Sequence, residues 1–136
     1  MTTLNDARGA IYAAFVAGWG ATSAYTFDNE SYDPPANANW VRLVVRHDDR
    51  VQESLGGLGR RKFESGGSVI IQCFAPLDSG AASADTLASA ARSIFEGKTF
   101  NPEYIRFTSA VVREIGPTDD WYQINVEAFF TYTETK

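Results

Sequence analysis

From Trp121 to Thr133 the chain alternates almost residue by residue. Tyr122, Ile124, Val126, Ala128, Phe130 and Tyr132 fall on one side, and Gln123, Asn125 and Glu127 on the other. A period of two is the signature of a β-strand with one buried face, and a helix cannot satisfy it. The chain must therefore build a sheet whose apolar face is covered by something else. Two stretches of helical period supply that cover. Leu4, Ala7, Ile11, Ala14, Phe15 and Gly18 share one helical face, behind a Thr3–Asp6 pair spaced like a capping box, and Gly18 and Gly20 end the helix. The second helix places Ala84, Leu87, Ala88, Ala91, Ile94 and Phe95 on one face; Asp78 or Ser79 can cap it and Gly97 stops it.

Three further strands are predicted. Trp40–His47 puts Val41, Leu43 and Val45 on one face and Arg42, Val44 and Arg46 on the other. A strand from about Arg61 to Ala75 contains Gly66-Gly67, which mark a bulge or a close backbone approach. Its second half, Val69 to Phe74, is nearly all apolar and predicts a central strand covered on both faces. A strand over about Tyr104–Ile115 leads through the turn composition Gly116-Pro117-Thr118-Asp119-Asp120 into the last one. Between Thr22 and Asn39 the pattern lapses, and Pro34-Pro35 make this an extended connector. The predicted fold is α+β in the order α-β-β-α-β-β, a mostly antiparallel four-stranded sheet with both helices on one face. A length of 136 residues suits one domain, 1–136, carrying a mobile hairpin arm at about 48–60.

Charge is distributed unevenly. The net charge is −5, which disfavours general binding to nucleic acid or anionic membranes. Residues 42–62 carry six cations and three anions, hence +3, leaving −8 for the remainder. The apolar stretch Ala10–Ala21 is too short to span a bilayer and lacks the basic start of a secretion signal. The lone cysteine, Cys73, excludes an intrachain disulfide and reads as a small buried strand residue in a reducing cytoplasm.

Chemistry-bearing patterns are sparse. His47 is the single histidine, and in His47-Asp48-Asp49 adjacent strand residues point to opposite faces, which is poor geometry for a metal. Asp119-Asp120 sits in a turn, where Asp is favoured for local hydrogen bonding. Gly56-Gly57-Leu58-Gly59 lacks both the third glycine of a dinucleotide loop and the Lys-Ser/Thr of a phosphate loop. No catalytic residue, metal or cofactor is expected. The uncommon feature is the segment 48–60, with Leu55 and Leu58 among glycines and Arg60-Arg61-Lys62 at its exit. Loops of about a dozen residues inside a compact domain tend to be functional. Such leucines either dock on a neighbour or fold back onto their own core.

The ordered set of these features resembles the tail terminator proteins of long-tailed bacteriophages. Its carriers are the N-terminal helix, Phe27-Asp28-Asn29, Tyr32-Asp33-Pro34-Pro35, Trp40-Val41-Arg42, Leu55-Gly56-Gly57-Leu58-Gly59-Arg60-Arg61, Phe74-Ala75-Pro76, Phe95-Glu96-Gly97-Lys98 and Asp119-Asp120-Trp121-Tyr122. The resemblance implies a non-enzymatic virion protein, assembled in the host cytoplasm. It would form a hexameric ring that caps the head-proximal end of the tail tube, stops its growth and docks the head connector. The implied partners are other copies of the chain, the tail tube protein and the head-side connector or adaptor. DNA would pass the lumen without sequence-specific contact, and no membrane is involved. Leu55, Leu58, Arg60 and Arg61 are the expected subunit or tube contacts, with Arg46, Asp119, Asp120 and Trp121 behind them. Another neck component, a head-completion or adaptor protein, fits the same features, and a small enzyme using the open sheet face is the reading from a different class.

Overall fold

A computed structural model describes residues 3–78, 80–101 and 104–136. Along the chain come α1 (Leu4–Trp19), β1 (Ala24–Phe27), β2 (Trp40–Gln52), β3 (Lys62–Pro76), α2 (Ala82–Phe95), β4 (Thr99–Phe100), β5 (Ile105–Thr118) and β6 (Trp121–Thr135). The six strands form one mixed sheet in the order β1-β2-β3-β6-β5-β4, curved into a half-barrel.

This corrects the expected four-stranded sheet and its α-β-β-α-β-β order. The connector between Thr22 and Asn39 contains β1, which pairs parallel with Trp40–Leu43. The parallel return is possible because residues 28–39 carry the chain back along the sheet before Trp40. The two-residue β4 pairs antiparallel with Ile105 and Arg106. Both added strands are too short for periodicity to reveal them. Two other expectations shift. Strand β2 runs on to Gln52, so five residues assigned to the arm are paired with Phe63–Gly66 or bulged against them. Likewise Gly116-Pro117-Thr118 belong to β5, which leaves only Asp119 and Asp120 to make the turn.

One core cluster joins both helices to a single sheet face. It contains Ile11, Phe15 and Trp19 of α1, Leu87, Ala91 and Phe95 of α2, and the inward residues of β2, β3, β5 and β6. Thr3 and Asp6 form the expected capping box, the Asp6 N–H donating to Thr3 Oγ1 and the Thr3 N–H to Asp6 Oδ2, both at 3.2 Å. All six expected apolar positions of α2 are buried, whereas Leu4 and Gly18 of α1 lie in solvent. Helix α2 begins after Ala81 with no side-chain cap; Asp78 instead takes a left-handed turn conformation at φ 65°, and Ser79 lies outside the described residues. The helix stops at Phe95, where Gly97 at φ 70° turns the chain as expected.

Of the two alternatives read from the double glycine, the close backbone approach holds, Gly67 lying against the Arg46 carbonyl, while the bulge falls on the facing strand β2. Opposite Gly66 and Gly67 the register of β2 slips, leaving Asp48 bulged between His47 and Asp49. Two more bulges interrupt β5, between Phe107 and Ala110 and between Glu114 and Gly116. Each bulge bends its strand and adds twist, which is how a sheet of this size curls into a half-barrel.

Candidate functional site

The two ends of the sheet hold the two groups of residues singled out in the sequence. Strand β3 has 15 residues, which at the usual rise of about 3.3 Å sets its ends roughly 45 Å apart. At one end the β2–β3 hairpin turns through residues 53–61. At the other lies the β5–β6 turn, because Trp121 pairs with Pro76 and Thr135 with Lys62. The arm and the Asp119-Asp120-Trp121 turn therefore do not form one site.

At the arm, local polar contacts hold the base and leave the tip bare. Glu53 N–H donates to the Lys62 carbonyl at 2.7 Å, Lys62 N–H to Ser54 Oγ at 3.1 Å, and Arg60 N–H to the Gly57 carbonyl at 3.0 Å. Gly59 takes φ 86°, which completes the turn. Leu55 is 98% exposed and Leu58 88%, so neither folds back onto the core. Arg60 is exposed beside them. Arg61 differs from the expected contact residue. Its backbone exchanges two hydrogen bonds with Lys136, at 2.9 and 2.7 Å, and its Nε is buried without a partner.

At the opposite end, Asp119 (φ 53°) and Asp120 are exposed, and Trp121 is half-buried. Trp121 stands edge-on to Trp40 at 5.9 Å; Trp40 in turn stacks on Phe74 at 4.2 Å, with Tyr32 at 5.2 Å. Trp121 lines two surface depressions of about 390 and 370 Å³. These aromatics lie on the sheet face away from the helices, as does exposed Arg46, which pairs with Ser68. The face is less open than expected. Trp40, Phe74 and Gln123 are buried, and Asn125 and Glu127 are half-buried.

His47 is turned away from metal chemistry. Its ring lies edge-on to Phe130 and Tyr132 at 5.6 and 5.8 Å, and both ring nitrogens are buried without a hydrogen-bond partner. Burial, followed by the nearby Arg8 charge, lowers its pKa below the ordinary 6.5, with Asp48 opposing. Among the described residues no cluster of three or more His, Cys, Asp or Glu side chains could hold a metal ion.

Sequence reading missed two features of this surface. Arg50 bridges three strands. It forms an ion pair with buried Glu134 at 3.2 Å, donates to Ser65 Oγ at 2.8 Å and lies 5.0 Å over the Phe63 ring. Only the pairing register brings residues 50, 65 and 134 together. The second feature is the pair of open sheet edges. Strand β1 covers β2 only as far as Leu43, and Arg8 reaches the Val45 carbonyl at 3.4 Å; beyond it no described strand flanks the outer edge from Arg46 to Gln52. On the far side, β4 covers Ile105 and Arg106, and Glu96 Oε2 accepts the Ala110 N–H at 3.0 Å. From Val111 to Thr118 no described strand flanks the outer edge of β5, and Val111, Val112 and Ile115 are exposed there.

An open, curved α+β sheet with unpaired edges and a bare apolar tip is the class these features define. No protein-family model and no curated protein matches the chain. Among solved structures, one whose name states no activity superposes with a TM-score of 0.67 at 17% sequence identity, covering 92% of this chain and 94% of the other. Likeness at that identity establishes a shared fold over nearly the whole length of both chains.

Proposed function

We propose that this chain is a structural subunit of a phage tail neck, a terminator that forms a ring on the head-proximal end of the tail tube. One observation carries the reading. The exposed leucine arm and the Asp119-Asp120-Trp121 turn stand at opposite ends of one sheet. A subunit built this way offers unlike contact surfaces at its two ends, so copies can join one another or the tube through the arm and still present a second surface at the other end of the sheet. The work is done by surfaces. One ring face accepts the last tube ring, and the other offers no site for a further one. The open sheet edges suit side-by-side association, since unpaired strand edges are templates for pairing with another chain.

Light scattering after size exclusion, across a concentration series with and without tail tube protein, tests the proposal. The expected result is a hexameric mass, either alone or on adding tube protein. A protein that stays monomeric and never joins the tube protein contradicts it. A ring that binds a portal or adaptor instead of the tube assigns the chain to another neck position. Leu55→Asp with Leu58→Asp should leave the fold intact and abolish assembly.

A further inference from the structure

The two open edges of the sheet are complementary. Strands β2, β3, β6 and β5 alternate in direction, so β2 and β5 run opposite ways. A second copy related by rotation alone therefore lays its β2 edge antiparallel to the β5 edge of the first. Unlike edges on opposite sides of one chain make heterologous contacts, which close into rings when the rotation per subunit allows.

Backbone polarity selects one register. Along a strand every second residue turns its N–H and carbonyl to the same edge. Ala110 N–H goes outward to Glu96, so Val112 and Glu114 also face outward from β5. On β2 the Glu53 N–H turns inward to Lys62, so Gln52 and Arg50 face outward. Beyond the Asp48 bulge the Val45 carbonyl faces outward to Arg8. Setting Arg50 opposite Val112 of the next copy satisfies all of these together. Pro117, which has no N–H to donate, then falls at Val45, whose carbonyl Arg8 already holds. Thr118, the end of β5, falls at Val44, directly past Leu43, where the cover of β1 stops. The bulges at Asp48 and Ile115 come side by side. On the face away from the helices Arg113 stands opposite Asp49 and Val111 opposite Val51, both valines being exposed. Arg113 also keeps Glu127 at 3.1 Å. One like-charged pair, Glu114 with the bulged Asp48, opposes the contact.

This register also carries the stagger of a closed ring. Arg50 lies level with Tyr132 of β6, through Ser65, whereas Val112 lies level with Val126. The difference of six residues is about 20 Å along the strand, and four strands span about 19 Å across it. The repeat therefore runs at about 45° to the strands, close to the tilt of about 35–45° found in closed barrels.

We infer that copies of this chain join edge to edge, residues 46–51 of β2 pairing antiparallel with residues 111–116 of β5 in the next copy, so that their sheets close into one barrel. The inference rests on the ring reading for the number of copies, and it names the contact that joins them. A six-residue ladder buries less than the roughly 1,000 Å² of a stable interface. Closure offsets this, because each copy is then held at two edges.

Cysteine crosslinking reads the register, and native Cys73 is buried and does not compete. Val51→Cys with Val111→Cys, and Asp49→Cys with Arg113→Cys, are oxidised where the unmodified chain associates, with tail tube protein added if assembly needs it. The expected result is a covalent ladder beyond the dimer from at least one of these pairs. Single variants, and the out-of-register pair Val51→Cys with Ile115→Cys, should give none. Val112→Pro removes an outward N–H that no described strand uses. It should leave the circular dichroism unchanged and weaken association about tenfold or more. Glu114→Gln should strengthen association. If the unmodified chain forms a ring but neither in-register pair gives a ladder, the edges do not meet in this way, and the ring reading survives. Crosslinked dimers from single variants would mean that like edges meet, which also overturns the inference. Both readings fall if the unmodified chain is monomeric with and without tube protein.

Discussion

Gly67 lies directly against the Arg46 carbonyl oxygen, so close that a Cβ on residue 67 would overlap it. The same Cβ would press on the Phe130 ring at 3.0 Å. Neither neighbour can yield cheaply, since one is backbone and the other is core. Gly67→Ala should therefore cost about 1–3 kcal/mol, the usual range for overpacking. Gly66→Ala is the control, because its Cβ meets nothing closer than 3.6 Å. Urea unfolding should show a clear loss for the first and little change or a gain for the second.

Arg50 neutralises Glu134, a carboxylate 6% exposed at the arm end of the sheet. Arg50→Met keeps most of the packing and removes the nearer charge, leaving the carboxylate only Lys136 Nζ at 3.9 Å. With Arg50 itself partly in solvent, the expected loss is about 1–3 kcal/mol. Replacing both residues, Arg50→Met with Glu134→Leu, should recover much of it. A double-mutant cycle by denaturant titration measures the coupling, and additive losses would mean the pair contributes nothing.

His47 gives the fold a pH dependence of known sign. Its folded pKa lies below 6.5, because burial first, then Arg8, disfavours the imidazolium. The unfolded chain therefore takes up the proton first as pH falls. Stability should decline as pH drops through about 6.5 towards the folded pKa, and level off once both states are protonated. His47→Phe, which retains a ring beside Phe130 and Tyr132, should flatten the urea midpoint over about pH 5–7. An unchanged slope in that variant would assign the effect to other groups.

Cys73 is buried on β3, and burial pushes its thiol up to about 12. Only the thiolate attacks electrophiles. The native protein should resist iodoacetamide at pH 8 for as long as it stays folded, and unfolding in urea should expose one reactive thiol. Fast labelling of the native chain would show that β3 opens locally.

Periodicity reports the environment of long regular segments, and there the sequence was sufficient by itself. The alternation in β6, the buried face of α2 and the Thr3–Asp6 cap all depend on residues near one another in the chain. The exposed leucines of the arm were equally visible as apolar residues among glycines. What it left open was whether they fold back, because that depends on how far the paired strands extend. The tertiary structure alone decided the rest. Strands β1 and β4 have four and two residues, too few for any period, and form because longer neighbours offer them unpaired edges. The Arg50–Glu134 bridge and the close approach of Gly18 to Ile94 join residues 84 and 76 positions apart. Such contacts are set by strand register and helix packing, and a linear sequence shows neither.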